Sequence, residues 1–468
     1  MLLGSISETA GGYDVVVIGG GLGGMTAAKR LADAGRKVLL IERRSRLGGY
    51  AAWFKRKGHI FDVALHAFPA GMAKTLRKYW SRDLGDRVMP LRRIRFENPE
   101  FSFTTTFEAE DFKRILRERF AVPELRSEAF LQACRDIDYY QGVQETTGRF
   151  LNRFFPGRTD VVRVLLETVT YATGTNLDDP AMVYAIVFSN FVQKGTCSFR
   201  GGTDFLLAEM QRLLLAAGVD ILLRVRADQV EVENGRAVGV LAAGARIPAR
   251  AVVSNANLKA TCLELAGMDA VNPPFAREIR EVPLSVSVAQ VYMGIRPGEA
   301  IPEVADILFS SREPRYDAAA FRFFPPRSIS YSFYYPHHVR PEYGGTEIVA
   351  SMCAEYADWE NLSEGEYRSK KARLAEAVLE DLERFVPGVR AKLDHLEVAT
   401  PKTLERFAGH WRGASFGTKF PGFQAAEKLP TIIRGLYHCG SQGILMSGWL
   451  GSANCGALTA GKADAFLE

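Results

Sequence analysis

The spacing of apolar positions changes along this chain, and each change marks an element. Residues 14–18 (DVVVI) are short, β-branched and continuously apolar, the pattern of a strand buried on both faces of a parallel sheet. A glycine-rich turn, residues 19–24 (GGGLGG), follows at once. Over residues 25–34 the apolar positions Ala27, Ala28 and Leu31 take helical spacing and stop at Gly35; residues 37–41 (KVLLI) then predict a second strand that ends on Glu42. This is one βαβ unit of the length that binds a dinucleotide. Farther on, residues 205–215 predict an apolar helix, and residues 221–240 alternate as strands around the hairpin signal Asn234-Gly235. Ser363 with Glu366 forms a capping box that opens a helix through Leu374, Val378 and Leu382, closed by Pro387-Gly388.

The turn at 19–24 reads as G-x-G-x-x-G, with a strand before it, a helix after it and an acid at the end of the next strand. Each part answers a physical need. Gly19 permits the tight turn, Gly21 lets backbone approach a pyrophosphate, and Gly24 lets helix and strand pack closely. The helix start, Leu22 and Gly23 included, turns unpaired N–H groups toward phosphate, and Glu42 is placed to accept hydrogen bonds from a ribose.

Composition narrows the classes. The 468 residues are 47% hydrophobic, with 59 Lys and Arg against 54 Asp and Glu, which suits about two or three globular domains and excludes a disordered chain. A formal charge of +5 disfavours a dedicated nucleic-acid binder. The six cysteines are scattered without a C-x-x-C pair, so neither a zinc site nor a disulfide framework is expected, and a reducing, cytoplasmic setting is. The first twelve residues lack the basic start of a signal peptide. Residues 435–461 carry no Asp, Glu, Lys or Arg, yet seven glycines among them favour a strand, a turn and a buried helix near a ligand over a membrane span.

After Glu42 the chain continues Arg43-Arg44-Ser45-Arg46-Leu47-Gly48-Gly49-Tyr50. This resembles the E-x-R-x-x-x-G-G signature of FAD enzymes in the amine oxidase and phytoene desaturase superfamily, with Tyr50 where many members have Arg. The resemblance continues through residues 199–203 (FRGGT), Ala227 at a position whose backbone meets adenine, residues 252–256 (VVSNA), Thr400-Pro401, residues 413–417 (GASFG) and residues 435–440 (GLYHCG). It covers essentially the whole chain. Residues 58–66 (GHIFDVALH) and 443–458 look nearest to retinol saturase, within the phytoene desaturase, carotenoid isomerase and retinol saturase group, although Ala64 replaces a glycine. Ser441 and Gln442 stand where bacterial phytoene desaturases carry an Asp and a Pro-Gly-rich turn.

The resemblance implies an α/β fold: a Rossmann-like FAD-binding domain (residues 1–75, 198–265 and 400–468) interleaved with an α+β substrate domain (76–197 and 266–399). It implies FAD held by Gly19, Gly21, Leu22, Gly23, Gly24, Glu42, Arg43, Arg44, Gly48, Gly49, Ala227, Gly440, Ser441, Trp449 and Leu450. The activity it implies is saturation or desaturation of C–C bonds in a hydrophobic isoprenoid or polyene by hydride transfer with flavin N5, exchanging electrons with an external partner. Redox-neutral cis/trans isomerisation with reduced FAD, amine oxidation, and a non-enzymatic prenyl-binding module of the Rab escort and GDI type are the alternatives.

No Ser/His/Asp triad or metal set is visible, and the chemistry needs neither. His66, His410 and Trp411 are the candidates for proton transfer or substrate positioning; His438 reads as packing. Residues 43–61 contain no acid, and Trp53-Phe54-Lys55-Arg56-Lys57 reads either as a solvated hairpin beside the cofactor phosphates or as a peripheral contact with an anionic membrane.

Overall fold

The computed structural model describes residues 1–9, 11–64, 67–137, 145–192, 194–340 and 344–468. An eight-stranded sheet runs Leu2–Leu3, Asp220–Leu223, Val38–Glu42, Tyr13–Ile18, Ala245–Ser254, Arg236–Ala242, Ala227–Glu233, with Leu436–His438 also paired to Ala245–Ser254. Its centre is parallel, Val15 facing Val38 and Ala251 facing Val15. The continuous apolar run at 14–18 follows from this position. Val15 and Val17 enter the core on one face, Val16 and Ile18 the core on the other, and the three valines are fully buried. Each such side chain contributes about 1.5–3 kcal/mol by leaving water.

One face carries the helices Leu22–Asp33 and Gly448–Leu467. The first begins inside the glycine turn, with Gly21 as its N-cap, so Gly23 and Gly24 form part of its first turn. The hairpin turns at Asn234 and Gly235, both at positive φ. Ser363 and Glu366 make the reciprocal capping box that opens Glu364–Leu382. The uncharged stretch 435–461 becomes the strand Leu436–His438, a turn and most of the helix Gly448–Leu467; no helix among the described residues is long and apolar enough to cross a membrane.

A second, seven-stranded sheet has the order Leu393–Ala399, Ser287–Ile295, Glu347–Ala354, Ser328–Tyr334, Ile307–Ser311, Ile94–Glu97, Ser102–Thr105. Its residues alternate between two faces. Val291, Met293, Leu308, Tyr331, Ile348 and Ala350 pack on Leu374, Val378 and Leu382 of the helix Glu364–Leu382. The opposite face is left for a cavity. A helical layer that includes Thr159–Thr173 and Ala181–Val192, cored by Phe112, Phe130, Phe150 and Phe188, borders the same cavity through Thr168, Val169, Tyr171, Ile186 and Phe191.

Candidate active site

A cavity of about 1170 Å³ extends from the glycine turn of the first sheet to the open face of the second. At its first end Glu42 joins two loops. Its Oε2 accepts the Gly20 N–H at 2.7 Å and its Oε1 the Arg44 N–H at 2.8 Å, which leaves further lone pairs on a carboxylate that borders the cavity. Gly21 gives the helix no side-chain cap, and the first turn holds no acid. The helix start, without a side-chain cap, carries the positive end of the helix dipole beside cavity-lining Gly21, Leu22 and Gly23. Gly19, Gly48 and Gly49 line the same end, and the Gly48 N–H donates to the Gly20 carbonyl at 2.7 Å.

Arg43 and Ala227 also border this end. The Arg224 N–H donates to the Arg44 carbonyl at 2.9 Å and the Val225 N–H to the Glu42 carbonyl at 3.2 Å, which lays the segment before Ala227 along the end of the second strand. Arg44 is half-buried and fastened to the chain. Its Nε donates to the Phe407 carbonyl at 3.0 Å, another guanidinium nitrogen donates to the Arg406 carbonyl, and its guanidinium carbon lies 4.9 Å from the centre of the Phe407 ring. Tyr50, in place of an arginine, adds a neutral wall: its ring meets His410 edge-on at 4.4 Å, and burial holds its phenol protonated.

A second helix start points into the cavity. Ser447, the N-cap of Gly448–Leu467, donates its hydroxyl to the Phe416 carbonyl at 2.9 Å instead of capping, and no acid stands in the first turn. Gly448, Trp449 and Leu450 line the cavity there, as does Ser441. Gly24 and Gly440 do not line it. They lie behind, where a Cβ would collide with the carbonyl oxygens of Gly19 and Ala256. Their missing Cβ atoms permit close packing there. Gly456 likewise rests on the Gly23 carbonyl, so the two helices meet backbone to backbone where the first one begins.

His410 and Trp411 both line the cavity. The His410 Nδ1 lies 2.9 Å from the Ala414 carbonyl, which can only accept; Nδ1 carries the proton and Nε2 is the acceptor. Burial pushes its pKa down to about 4, so the ring is neutral at pH 7. His438 is buried between the Gln442 amide and the Ala256 carbonyl and does not border the cavity. His66 lies outside the described residues.

The far end is walled by side chains that the sequence reading did not single out, among them Phe68, Phe107, Tyr171, Phe309 and Tyr292, with Gln290, Ser330, Ser332 and Ser351 on the open sheet face. A signal was present in residues 328–334 (SISYSFY). Serines alternate there with large apolar residues; Ile329, Tyr331 and Phe333 enter the core while Ser330 and Ser332 face the cavity.

Two uncapped helix starts, an acid beside one of them and a long apolar extension fit a diphosphate-linked flat ring with room for a substrate. A family described as flavin containing amine oxidoreductases matches residues 22–442. The chain belongs to this family. It is an FAD-dependent oxidoreductase of α/β amine oxidase-type fold, and a non-enzymatic prenyl-binding module is not favoured. It is similar to a lycopene-forming phytoene desaturase from Paracoccus sp., 24% identical over 94% of this chain and 96% of that protein. It is also similar to the chloroplastic prolycopene isomerase of Daucus carota, 24% identical over 97% of this chain and 80% of that protein. Among solved structures, an oxidoreductase from Methanosarcina mazei shares the fold with a TM-score of 0.67 at 18% identity, covering 96% of this chain and 99% of that one. Cyclohexylamine oxidase from Brevibacterium oxydans shares it with a TM-score of 0.62 at 16% identity, covering 97% and 98%.

Proposed function

We propose that this protein desaturates or saturates C–C bonds in a lipophilic polyene of the carotenoid or retinoid type. The observation that supports this reading is one continuous cavity, which runs from the two helix starts into a chamber walled by Phe68, Phe107, Tyr171 and Phe309. Its size, about 1170 Å³, exceeds the usual range for one drug-sized ligand and suits a cofactor together with an extended apolar chain. The similarity to a phytoene desaturase supports the same substrate class. Similarity to prolycopene isomerases supports redox-neutral cis/trans isomerisation as the second reading.

In this reading residues 1–75, 198–265 and 400–468 form the cofactor unit, and the intervening segments the substrate unit. Bound FAD supplies the hydride acceptor or donor. The start of Leu22–Asp33 holds the diphosphate, Glu42 the ribose, and the backbone before Ala227 lies against the adenine. The start of Gly448–Leu467, with Trp449 and Leu450, favours negative charge at the flavin end. His410, neutral and with Nε2 as acceptor, and Trp411 position the polyene, and the aromatic wall excludes water.

Anaerobic mixing of the oxidised holoenzyme with a panel of polyene lipids tests the reading, set against mixing of the dithionite-reduced enzyme with the same panel. Bleaching in the first or reoxidation in the second is expected; cis/trans conversion without a flavin change points to the isomerase reading. No response from flavin or lipid contradicts both.

Peripheral contact with an anionic membrane would use the tip of the hairpin formed by Trp53–Arg56 and His59–Asp62, where Lys55 and Lys57 are exposed. The rings of Trp53 and Phe54 turn toward the cavity beneath Arg46 and Arg56, at 4.4 and 5.2 Å. Flotation with anionic but not neutral vesicles is expected, and absence of flotation with either removes this contact.

A further inference from the structure

The cavity-facing side of the second sheet carries a polar row in an otherwise apolar chamber. Gln290 faces Ser351 across one strand pair and Ser351 faces Ser330 across the next, with Phe309 beyond. Two interstrand steps make the polar part about 10 Å long. Most hydroxyls near it are already engaged. Thr168 and Thr173 donate to carbonyls of their own helix at 3.0 and 2.9 Å, Ser311 pairs with Ser328 at 2.9 Å, and Ser330 donates to the Ser351 carbonyl at 3.0 Å. The Gln290 amide oxygen accepts from Tyr292 at 2.7 Å.

Ser351 differs. Its residue is only 8% exposed and lines the cavity, yet its hydroxyl has no hydrogen-bond partner among the described residues. Water can meet that hydroxyl while the cavity is wet. A bound chain of pure hydrocarbon would strip the water and leave the hydroxyl unmet, whereas a chain with an oxygen at this position would replace the lost bond. The row contains no cation and no anion, so it suits a neutral oxygen better than a carboxylate.

We propose that the substrate carries a neutral oxygen function, a hydroxyl or carbonyl, and that Ser351, flanked by Gln290 and Ser330, is the specificity-determining residue that receives it. The inference rests on the polyene reading and narrows it to oxygenated polyenes. The adjacent serine on the same strand face, Ser332, extends the polar surface toward Ile307, its neighbour across the sheet.

The test compares two probes in the same detergent micelles: all-trans-retinol and its deoxy hydrocarbon, which has CH3 in place of CH2OH. Binding to the FAD-loaded enzyme is read by equilibrium ultrafiltration and the absorbance of each polyene. The alcohol is expected to bind the wild-type enzyme about tenfold more tightly, the weight of roughly one hydrogen bond that is otherwise lost. Ser351→Ala is expected to bring the two affinities together, and Ser351→Thr, which keeps the hydroxyl, to retain a preference for the alcohol. Equal binding of both probes to the wild type overturns the oxygen function and leaves the polyene reading standing. A full alcohol preference in Ser351→Ala overturns the assignment to Ser351. Binding of neither probe overturns this inference together with the polyene reading. If Ser351→Ala does not fold, Ser351→Val, similar in shape to Thr without the hydroxyl, carries the same two outcomes.

Discussion

The two ends of the cavity are made of different materials. At the proposed cofactor end the cavity meets backbone: two uncapped helix starts, with glycines placed so that carbonyls and helices come into direct contact. At the substrate end it meets side chains on alternate positions of a sheet and on the facing helices. Backbone can be brought that close only where side chains are missing, so the first end tolerates almost no added atom. The second end is shaped by what the side chains are, and exchanges there retune the chamber without moving the sheet.

The largest effect expected from this contrast is at Gly456, whose missing Cβ lets the helix Gly448–Leu467 lie on the Gly23 carbonyl. Gly456→Val should cost ~1–3 kcal/mol of stability through overpacking and push the two helices apart beside the cavity. Urea unfolding and the flavin-to-protein ratio after desalting measure both consequences. A normal ratio would show that the close approach of the two helices is not needed to hold the cofactor, and the contrast between the two ends would fail there.

The same contrast explains what the sequence made legible. The cofactor end is built from local pieces: strand, glycine turn, helix and Glu42 all fall within residues 13–42, so their spacing alone implies their geometry. Gly24 and Gly440 show the limit of such reading, because a motif position tells that a side chain is excluded but not whether ligand or protein excludes it. The substrate end depends on pairings between distant segments. Gln290, Ser330 and Ser351 become neighbours only through strand register, and Ile307–Ser311 lies parallel to Ile94–Glu97 across some two hundred residues of chain. The alternation in residues 328–334 announced a two-faced strand, but nothing in it said that the serine face meets a cavity instead of water.

A middle-sized effect sharpens the boundary between the ends, where His410 stands. Burial lowers its pKa from 6.5 to about 4, so the folded state prefers the neutral ring. Above pH 6.5 the ring is neutral in both states and costs nothing. As pH falls from 6.5 toward 4 the unfolded chain takes up a proton that the folded one refuses, and stability drops by up to ~3 kcal/mol. His59 acts in the opposite sense: the Glu347 carboxylate at its Nδ1 raises its pKa, so its contribution is present at low pH and is lost as pH rises through the folded value. His410→Asn should therefore lose less stability than the wild type between pH 6.5 and 4 in urea titrations. Parallel pH curves for the two proteins would place His410 in a solvated position rather than in the wall.

The smallest effect tests whether the second helix start acts through its dipole or only through shape. Leu450 lies in the first turn of Gly448–Leu467, borders the cavity and packs on Gly71, where a Cβ would come within 3.2 Å of it. Leu450→Asp places a carboxylate at this uncapped helix start, where the proposed placement of the cofactor puts the flavin. The helix itself should gain slightly, since an acid in the first turn complements its dipole, so a loss of fold is not the expected result. The carboxylate opposes the negative charge that the flavin gains on reduction, by ~1–2 kcal/mol, which for a two-electron couple lowers the potential by roughly 20–40 mV. Leu450→Asn, similar in shape without the charge, should leave the potential near the wild-type value. If both variants shift it equally, the helix start contributes packing and not field. An unchanged potential and unchanged flavin retention in Leu450→Asp would remove Leu450 from the flavin end altogether, and the cofactor end would then rest on the first helix start alone.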